Sequence, residues 1–253
     1  MINLPNIPDR PLKPRESGLT MVMDKGLSNT EAQSLIDSSS KFIDIVKFGF
    51  GTALVTDDLK TKIKLYKNNN IKVYLGGTLF EAFLARNMFQ EYCDFIKKLE
   101  LDTVEISDGS IKMNHNDKCE YINKLANQKI TVFSEVGYKS SNKIMPPSKW
   151  IQLMQKEIEA GSWKVIAEAR ESGNVGLYRS GGEVRSDLIE EILTKVPKDK
   201  ILWEAPKKQQ QVFFIKLLGA NVNLGNIGTN DVIPLECLRL GLRGDTFFNF
   251  LKT

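Results

Sequence analysis

Short apolar runs of four to seven residues alternate along the chain with longer segments whose apolar residues recur every three or four positions. The short runs fit buried strands, and the longer segments fit helices with one apolar face. The expected strands are Leu19–Met23, Phe42–Phe48, Ile71–Leu75, Thr103–Ile106, Ile130–Ser134, Lys164–Ala167, Lys200–Trp203 and Ala220–Leu224. Helices are expected after each of them. The third is Phe80–Leu99, in two pieces around Asn87, and the last is Asp231–Gly241. Strict alternation of strand and helix calls for a parallel sheet, and eight units predict a closed (β/α)8 barrel, the TIM barrel. The chain has 253 residues, close to the ~250 typical of that fold. It reads as a single barrel domain over 1–253, with the proline-rich residues 1–17 as an irregular arm.

The ends of the apolar runs carry polar or special residues. Asp24, Lys47, Gly76, Glu105, Glu135, Glu168, Glu204 and Asn223 are separated by 23, 29, 29, 30, 33, 36 and 19 residues. A βα unit takes about 30 residues, so these positions recur once per unit and should share one mouth of the barrel. Glu105, Glu135, Glu168 and Glu204, with Asp24 and Asp108, make a ring rich in carboxylates. Such groups cannot all stay ionised side by side without a cation. Oxygen ligands without a His or Cys cluster point to Mg²⁺ rather than zinc. The alternative is that each Glu pairs with a neighbouring Lys or Arg in a structural network.

Lys47 lies inside an apolar strand, where a lysine is costly unless it faces a polar cavity or snorkels from the strand end. Arg170, Ser172 and Gly173 resemble a cradle for an anion, combining side-chain and backbone donors. Gly76 and Gly77 permit close backbone approach. Asn223 ends the expected eighth strand, where barrels often bind phosphate. His115, the one histidine, reads as a surface imidazole in a polar loop. Gln209–Gln211 read as helix surface and core edge.

Composition narrows the partners. Net charge is +4 with basic and acidic residues intermixed, and no basic block carries interleaved aromatics, so nucleic acid is not expected. No apolar run approaches the ~20 residues of a membrane span. Cys93, Cys119 and Cys237 are scattered and odd in number, as expected of reduced thiols in the cytoplasm.

Several long motifs then stand out in order. They are Lys13-Pro14-Arg15, Asp44-Ile45-Val46-Lys47-Phe48-Gly49, Gly76-Gly77-Thr78-Leu79-Phe80-Glu81 and Val104-Glu105-Ile106-Ser107-Asp108-Gly109. Ser134-Glu135-Val136-Gly137, Glu168-Ala169-Arg170-Glu171-Ser172-Gly173, Glu204-Ala205-Pro206, Val222-Asn223-Leu224 and Leu242-Arg243-Gly244-Asp245-Thr246 follow. Together they resemble the phosphosulfolactate synthase family from about Lys13 to Phe248. The resemblance implies a barrel enzyme that adds sulfite to phosphoenolpyruvate, with Mg²⁺, to form (2R)-phospho-3-sulfolactate.

Under that reading Glu105, Glu135 and Glu168 are expected to hold the metal, with Glu204 or Asp24 close by. Lys47, Arg170, Gly76, Gly77, Ser172, Gly173 and Asn223 are expected around the substrate. Lys139 is expected as the acid that protonates C2, with Lys47 second. A cytoplasmic homo-oligomer is expected. The rivals are a family barrel with another nucleophile or phospho-acid, and a non-catalytic, stress-related member that only binds ligand.

Overall fold

The computed structural model describes residues 4–138 and 145–251. Eight parallel strands are present: β1 (Thr20–Asp24), β2 (Ile45–Phe48), β3 (Lys72–Leu75), β4 (Thr103–Ile106), β5 (Thr131–Val136), β6 (Lys164–Ala167), β7 (Ile201–Glu204) and β8 (Leu224–Ile227). Their lateral order is β3-β2-β1-β8-β7-β6-β5-β4. β3 and β4, at the two ends of that order, lie against each other, so the sheet rolls nearly shut into the expected (β/α)8 barrel.

The helices wrapping it are α1 (Asn29–Ser39), α2 (Leu59–Lys67), α3 (Gly77–Leu84), α4 (Phe89–Lys98), α5 (His115–Ala126), α6 (Pro147–Glu159), α7 (Ser186–Leu193), α8 (Lys208–Leu218) and α9 (Val232–Arg239). Their boundaries follow local chemistry. A capping box starts α1: Glu31 N–H donates to Ser28 Oγ, and Ser28 N–H donates to the Glu31 carboxylate. Pro147 opens α6, where its fixed φ and missing N–H cost nothing. The helical stretch after β3 is split because Asn87 takes a left-handed backbone, with φ of 58°.

Side chains alternate along each strand between the barrel interior and the helix layer. Leu19, Met21, Ile45, Tyr74, Phe133, Ile166 and Leu202 form a buried inner cluster. The Tyr74 and Phe133 rings lie 5.2 Å apart, and Trp163 meets Phe133 edge-on at 5.2 Å. Lys47, Glu135, Glu168 and Glu204 stand two residues beyond Ile45, Phe133, Ile166 and Leu202. A step of two keeps the same face, so these charges sit inside the mouth directly above an apolar plug.

Most strands start or end within a residue or two of expectation, and two differ by more. Ser40–Phe42 is a 3-10 turn, so β2 begins only at Ile45. The apolar run Ala220–Leu224 is mostly the turn into β8, which starts at Leu224. β8 also carries an extra residue relative to β1. Thr20 pairs with Leu224 but Val22 pairs with Ile227, and Asn226 takes up the surplus with φ of 55°.

The arm, residues 4–17, has no regular structure and is fastened to the N-terminal end of the barrel. Lys13 Nζ donates to the carbonyls of Ser40, Ile43 and Asn69. Arg10 pairs with Glu236 at 2.9 Å. Buried Arg239 donates to the carbonyls of Leu19, Ala220 and Val222. These bonds satisfy the backbone groups that a sheet leaves at its lower rim.

Candidate active site

A cavity of about 300 Å³ opens at the C-terminal end of the strands. Lys47, Glu105, Glu135, Glu168, Glu204 and Arg170 line it, with Gly76 and Gly77 at its edge. Glu135, Glu168 and Glu204 come from adjacent strands or their tips. One carboxylate oxygen from each lies within 4.8 Å of the others, and all three residues are buried. Among the described residues this is the cluster with the spacing and donor chemistry of a hard divalent cation site. The residues therefore fit Mg²⁺.

Lys47 stands against this cluster. Its Nζ donates to Glu204 Oε1 at 3.0 Å and lies 3.6 Å from Glu105 Oε2. Burial alone pulls the ammonium's pKa down. The carboxylates of Glu105, Glu204 and Glu135 outweigh it and hold the pKa above the ordinary lysine range. Glu204 Oε2 accepts from Ala169 N–H at 2.9 Å, and Glu168 Oε1 accepts from Arg170 N–H at 2.5 Å. Arg170 reaches the cavity on a left-handed residue, with φ of 55°.

Glu105 is held differently. Gly77 N–H, at the start of α3, donates to its Oε1 at 2.7 Å. A Cβ on Gly77 would stand 2.6 Å from that oxygen and collide with Ser107 Oγ. Glycine is required there by close approach. The bond turns Glu105 toward Lys47 and the head of α3, outside the Glu135–Glu168–Glu204 triad.

Other expected site residues lie elsewhere. Asp24 has the outward parity of β1. Its Oδ2 accepts from Tyr66 Oη at 2.9 Å and sits 3.4 Å from Lys62 Nζ, while Oδ1 caps Gly26 and Leu27 N–H. It braces the helix layer and is not among the mouth carboxylates. Asn223 is at the opposite end of the barrel. It accepts from Leu19 N–H and donates to the Asp199 and Ile201 carbonyls, because β8 starts later than its apolar run. Asn226 is the β8 side chain that lines the cavity, and its buried Oδ1 has no hydrogen-bond partner. Ser172 Oγ turns to Asn174 Oδ1 at 2.5 Å, and Gly173 packs on Gln210. Neither lines the cavity. Lys139 lies outside the described residues.

Two features carried little signal in the sequence. Gln210 is buried and donates to the Gly173 carbonyl at 2.9 Å, bracing the loop that presents Arg170. Its Oε1 accepts from Lys207 N–H at 3.1 Å, at the start of α8. His115 is the first residue of α5. Its Nδ1 is 3.7 Å from Glu157, and burial, then Lys118, lowers its pKa to about 4. It is a neutral member of a buried network rather than a surface imidazole. Asp108, expected in the carboxylate ring, instead pairs with Lys118 behind the mouth, at 2.9 Å.

The family model for (2R)-phospho-3-sulfolactate synthase matches residues 8–245. The chain belongs to the phosphosulfolactate synthase family. It is 40% identical over 248 residues to the phosphosulfolactate synthase of Bacillus subtilis, covering 96% of this chain and 97% of that one. It is 39% identical over 244 residues to the phosphosulfolactate synthase of Methanothermobacter thermautotrophicus, covering 94% and 95%. Among solved structures, the YdjI aldolase from Escherichia coli K12 superposes with a TM-score of 0.57 over 85% of this chain and 76% of that chain, at 8% identity. That likeness concerns the barrel alone. Membership in this enzyme family covers every strand whose tip lines the cavity.

Proposed function

We propose that the chain catalyses Mg²⁺-dependent addition of sulfite to phosphoenolpyruvate, giving (2R)-phospho-3-sulfolactate. The observation that carries the reading is the convergence of Glu135, Glu168 and Glu204 beside Lys47, in a cavity large enough for a three-carbon phospho-acid. The sulfur lone pair of sulfite forms a bond to C3. The C2–C3 π electrons move toward C2 and its carboxylate, and C2 then takes a proton. Mg²⁺, when bound by the three glutamates, would supply positive charge opposite the carboxylate where those electrons collect.

The chain's own groups do the remaining work. Arg170 and Lys47 offset the repulsion between two anions that must meet. Lys47, kept protonated by its carboxylates, suits charge compensation better than proton delivery. The proton for C2 is assigned to Lys139. The Asn226 side chain lines the cavity, and its amide NH₂ would donate to an oxygen of the phospho-acid.

The test is mass-spectrometric detection of the product from phosphoenolpyruvate and sulfite, with and without Mg²⁺. A folded protein that forms no adduct under any Mg²⁺ concentration refutes the reading. Adduct formation with another nucleophile but not sulfite reassigns it within the family. Lys139→Met is expected to abolish turnover with the melting curve unchanged, and near-normal turnover removes Lys139 from the mechanism.

Two broader statements belong to the same reading. The thiols of Cys93, Cys119 and Cys237 are free, which suits the cytoplasm. Exposed Phe50, Leu54 and Val55, clustered after β2, suit burial against a second copy. Light scattering on the purified chain tests the homo-oligomer.

A further inference from the structure

Behind the mouth, between strands and helices, lies a lysine that solvent barely touches. The side chain of Lys118 on α5 is 1% exposed, and that of Glu157 on α6 is 0% exposed. Lys118 Nζ donates to Asp108 Oδ1 at 2.9 Å and lies 2.9 Å from Glu157 Oε1. Its third partner is the backbone carbonyl of Glu135, at 2.6 Å. The ammonium donates to Asp108 and to the Glu135 carbonyl and faces the Glu157 carboxylate as its counter-charge, so it ties together three segments: the loop after β4, the end of β5, and α6.

The Glu135 carbonyl is where the sheet runs out. β4 and β5 stay in register from Thr103↔Thr131 to Ile106↔Ser134, one residue short of Glu135. On the other side Glu135 is still matched, to Ile166 of β6. The Val136 carbonyl accepts from Glu168 N–H at 3.0 Å, on the β6 side. Carbonyls alternate in direction along a strand, so the Glu135 carbonyl faces β4, beyond the last β4–β5 pair. Lys118 occupies that position.

We infer that Lys118 is a positioning residue for Glu135. It takes over the ladder where β4 ends, and so fixes the backbone from which Glu135 aims its carboxylate at Glu168 and Glu204. The inference rests on the proposed cation site. A lysine present only to neutralise Glu157 would not need the carbonyl. A lysine that sets Glu135 must keep it.

The experiment is calorimetric titration of the full chain with Mn²⁺ and Mg²⁺, without substrate, beside KM and kcat for phosphoenolpyruvate. Lys118→Met is combined with Glu157→Gln, so that no buried carboxylate is left without its cation. Lys118→Gln in the same background, polar but too short for the Glu135 carbonyl, is the companion if the first variant fails to fold. Either double variant is expected to bind the cation about 10- to 100-fold more weakly, the usual effect of losing a residue that orients a ligand. Glu157→Gln alone keeps the contact with Glu135 and is expected to bind within about twofold of wild type. KM at sub-saturating Mg²⁺ should rise, and kcat at saturating Mg²⁺ should recover.

A folded double variant with wild-type affinity overturns the inference. So does Glu157→Gln binding as weakly as the double variants, because the loss would then follow buried charge. A wild-type chain that binds neither cation refutes the cation site itself, and the inference with it.

Discussion

Lys47→Met keeps most of the side-chain volume and removes the ammonium standing between Glu204, at 3.0 Å, and Glu105, at 3.6 Å. Both carboxylates remain buried. Each retains one backbone donor, Ala169 N–H for Glu204 and Gly77 N–H for Glu105. Breaking a buried ion pair by removing one partner costs about 3–5 kcal/mol. The retained donors place this case near the lower end, about 3 kcal/mol. For a chain of this size that lowers Tm by about 6–12 °C.

The loss also acquires a pH dependence. In wild type the Lys47 pKa is raised, so its contribution is complete below the ordinary lysine value of about 10.4 and constant between pH 5 and 8. Without it, the buried negative charge of the mouth has no ammonium to offset it, and burial penalises that charge. The unfolded chain then sheds protons first, so the variant loses stability as pH rises from 5 to 8. Mg²⁺ should restore part of the stability, by about 2.7 kcal/mol at a hundred times its Kd. Differential scanning calorimetry at pH 5, 6.5 and 8, with and without Mg²⁺, reads all three effects. A Tm loss at pH 8 no larger than that at pH 5 would refute the electrostatic account of Lys47.

Three further outcomes are expected. Burial raises the Glu157 pKa to about 7, which makes stability fall from the ordinary glutamate range up to that pH; burial lowers His115 to about 4, which makes stability rise between there and 6.5. The two slopes oppose each other, so Glu157→Gln should gain Tm relative to wild type as pH rises from 5 to 7, and parallel melting profiles would contradict this. Gln210→Leu deprives the Gly173 and Gly182 carbonyls of their donor; it should cost about 1–3 kcal/mol and raise KM for phosphoenolpyruvate more than it lowers kcat, and an unchanged KM would detach the loop from substrate binding. Gly77→Ala forces a methyl to within 2.6 Å of Glu105 Oε1; urea unfolding should show a loss of about 1–3 kcal/mol, and full wild-type stability would mean that Glu105 is free to turn away.

The barrel was legible because its cause is local. A parallel strand buried on both faces must be apolar, a helix that covers it must be amphipathic, and each leaves its period in the chain. The mouth glutamates were legible for the same reason: Phe133-Ser134-Glu135, Ile166-Ala167-Glu168 and Leu202-Trp203-Glu204 each place a charge two steps beyond an inner apolar residue. Asp24 was misplaced because a polar residue at a strand tip does not declare its parity until Met21 and Met23 are known to face inward. Asn223 was misplaced because an apolar run in a turn looks like one in a strand, and the extra residue in β8 leaves no mark of its own. His115, Lys118 and Glu157 had no signal. Their partners lie up to 42 residues away, from His115 to Glu157, and only helix packing joins them.

From its order of residues alone, this protein's fold, its family motifs and the set of strands carrying charge at their tips could be read, because these depend on spacings of two, of three to four and of about thirty residues. Which carboxylates converge was decided by the tertiary structure. A chain can specify that four glutamates reach one mouth. Only the closure of the sheet, the bond from Gly77 and the lysines packed behind the strands separate Glu105 from Glu135, Glu168 and Glu204. Angles between neighbouring strands and the directions of backbone donors settle that choice, and neither is written in the periodicity of a sequence.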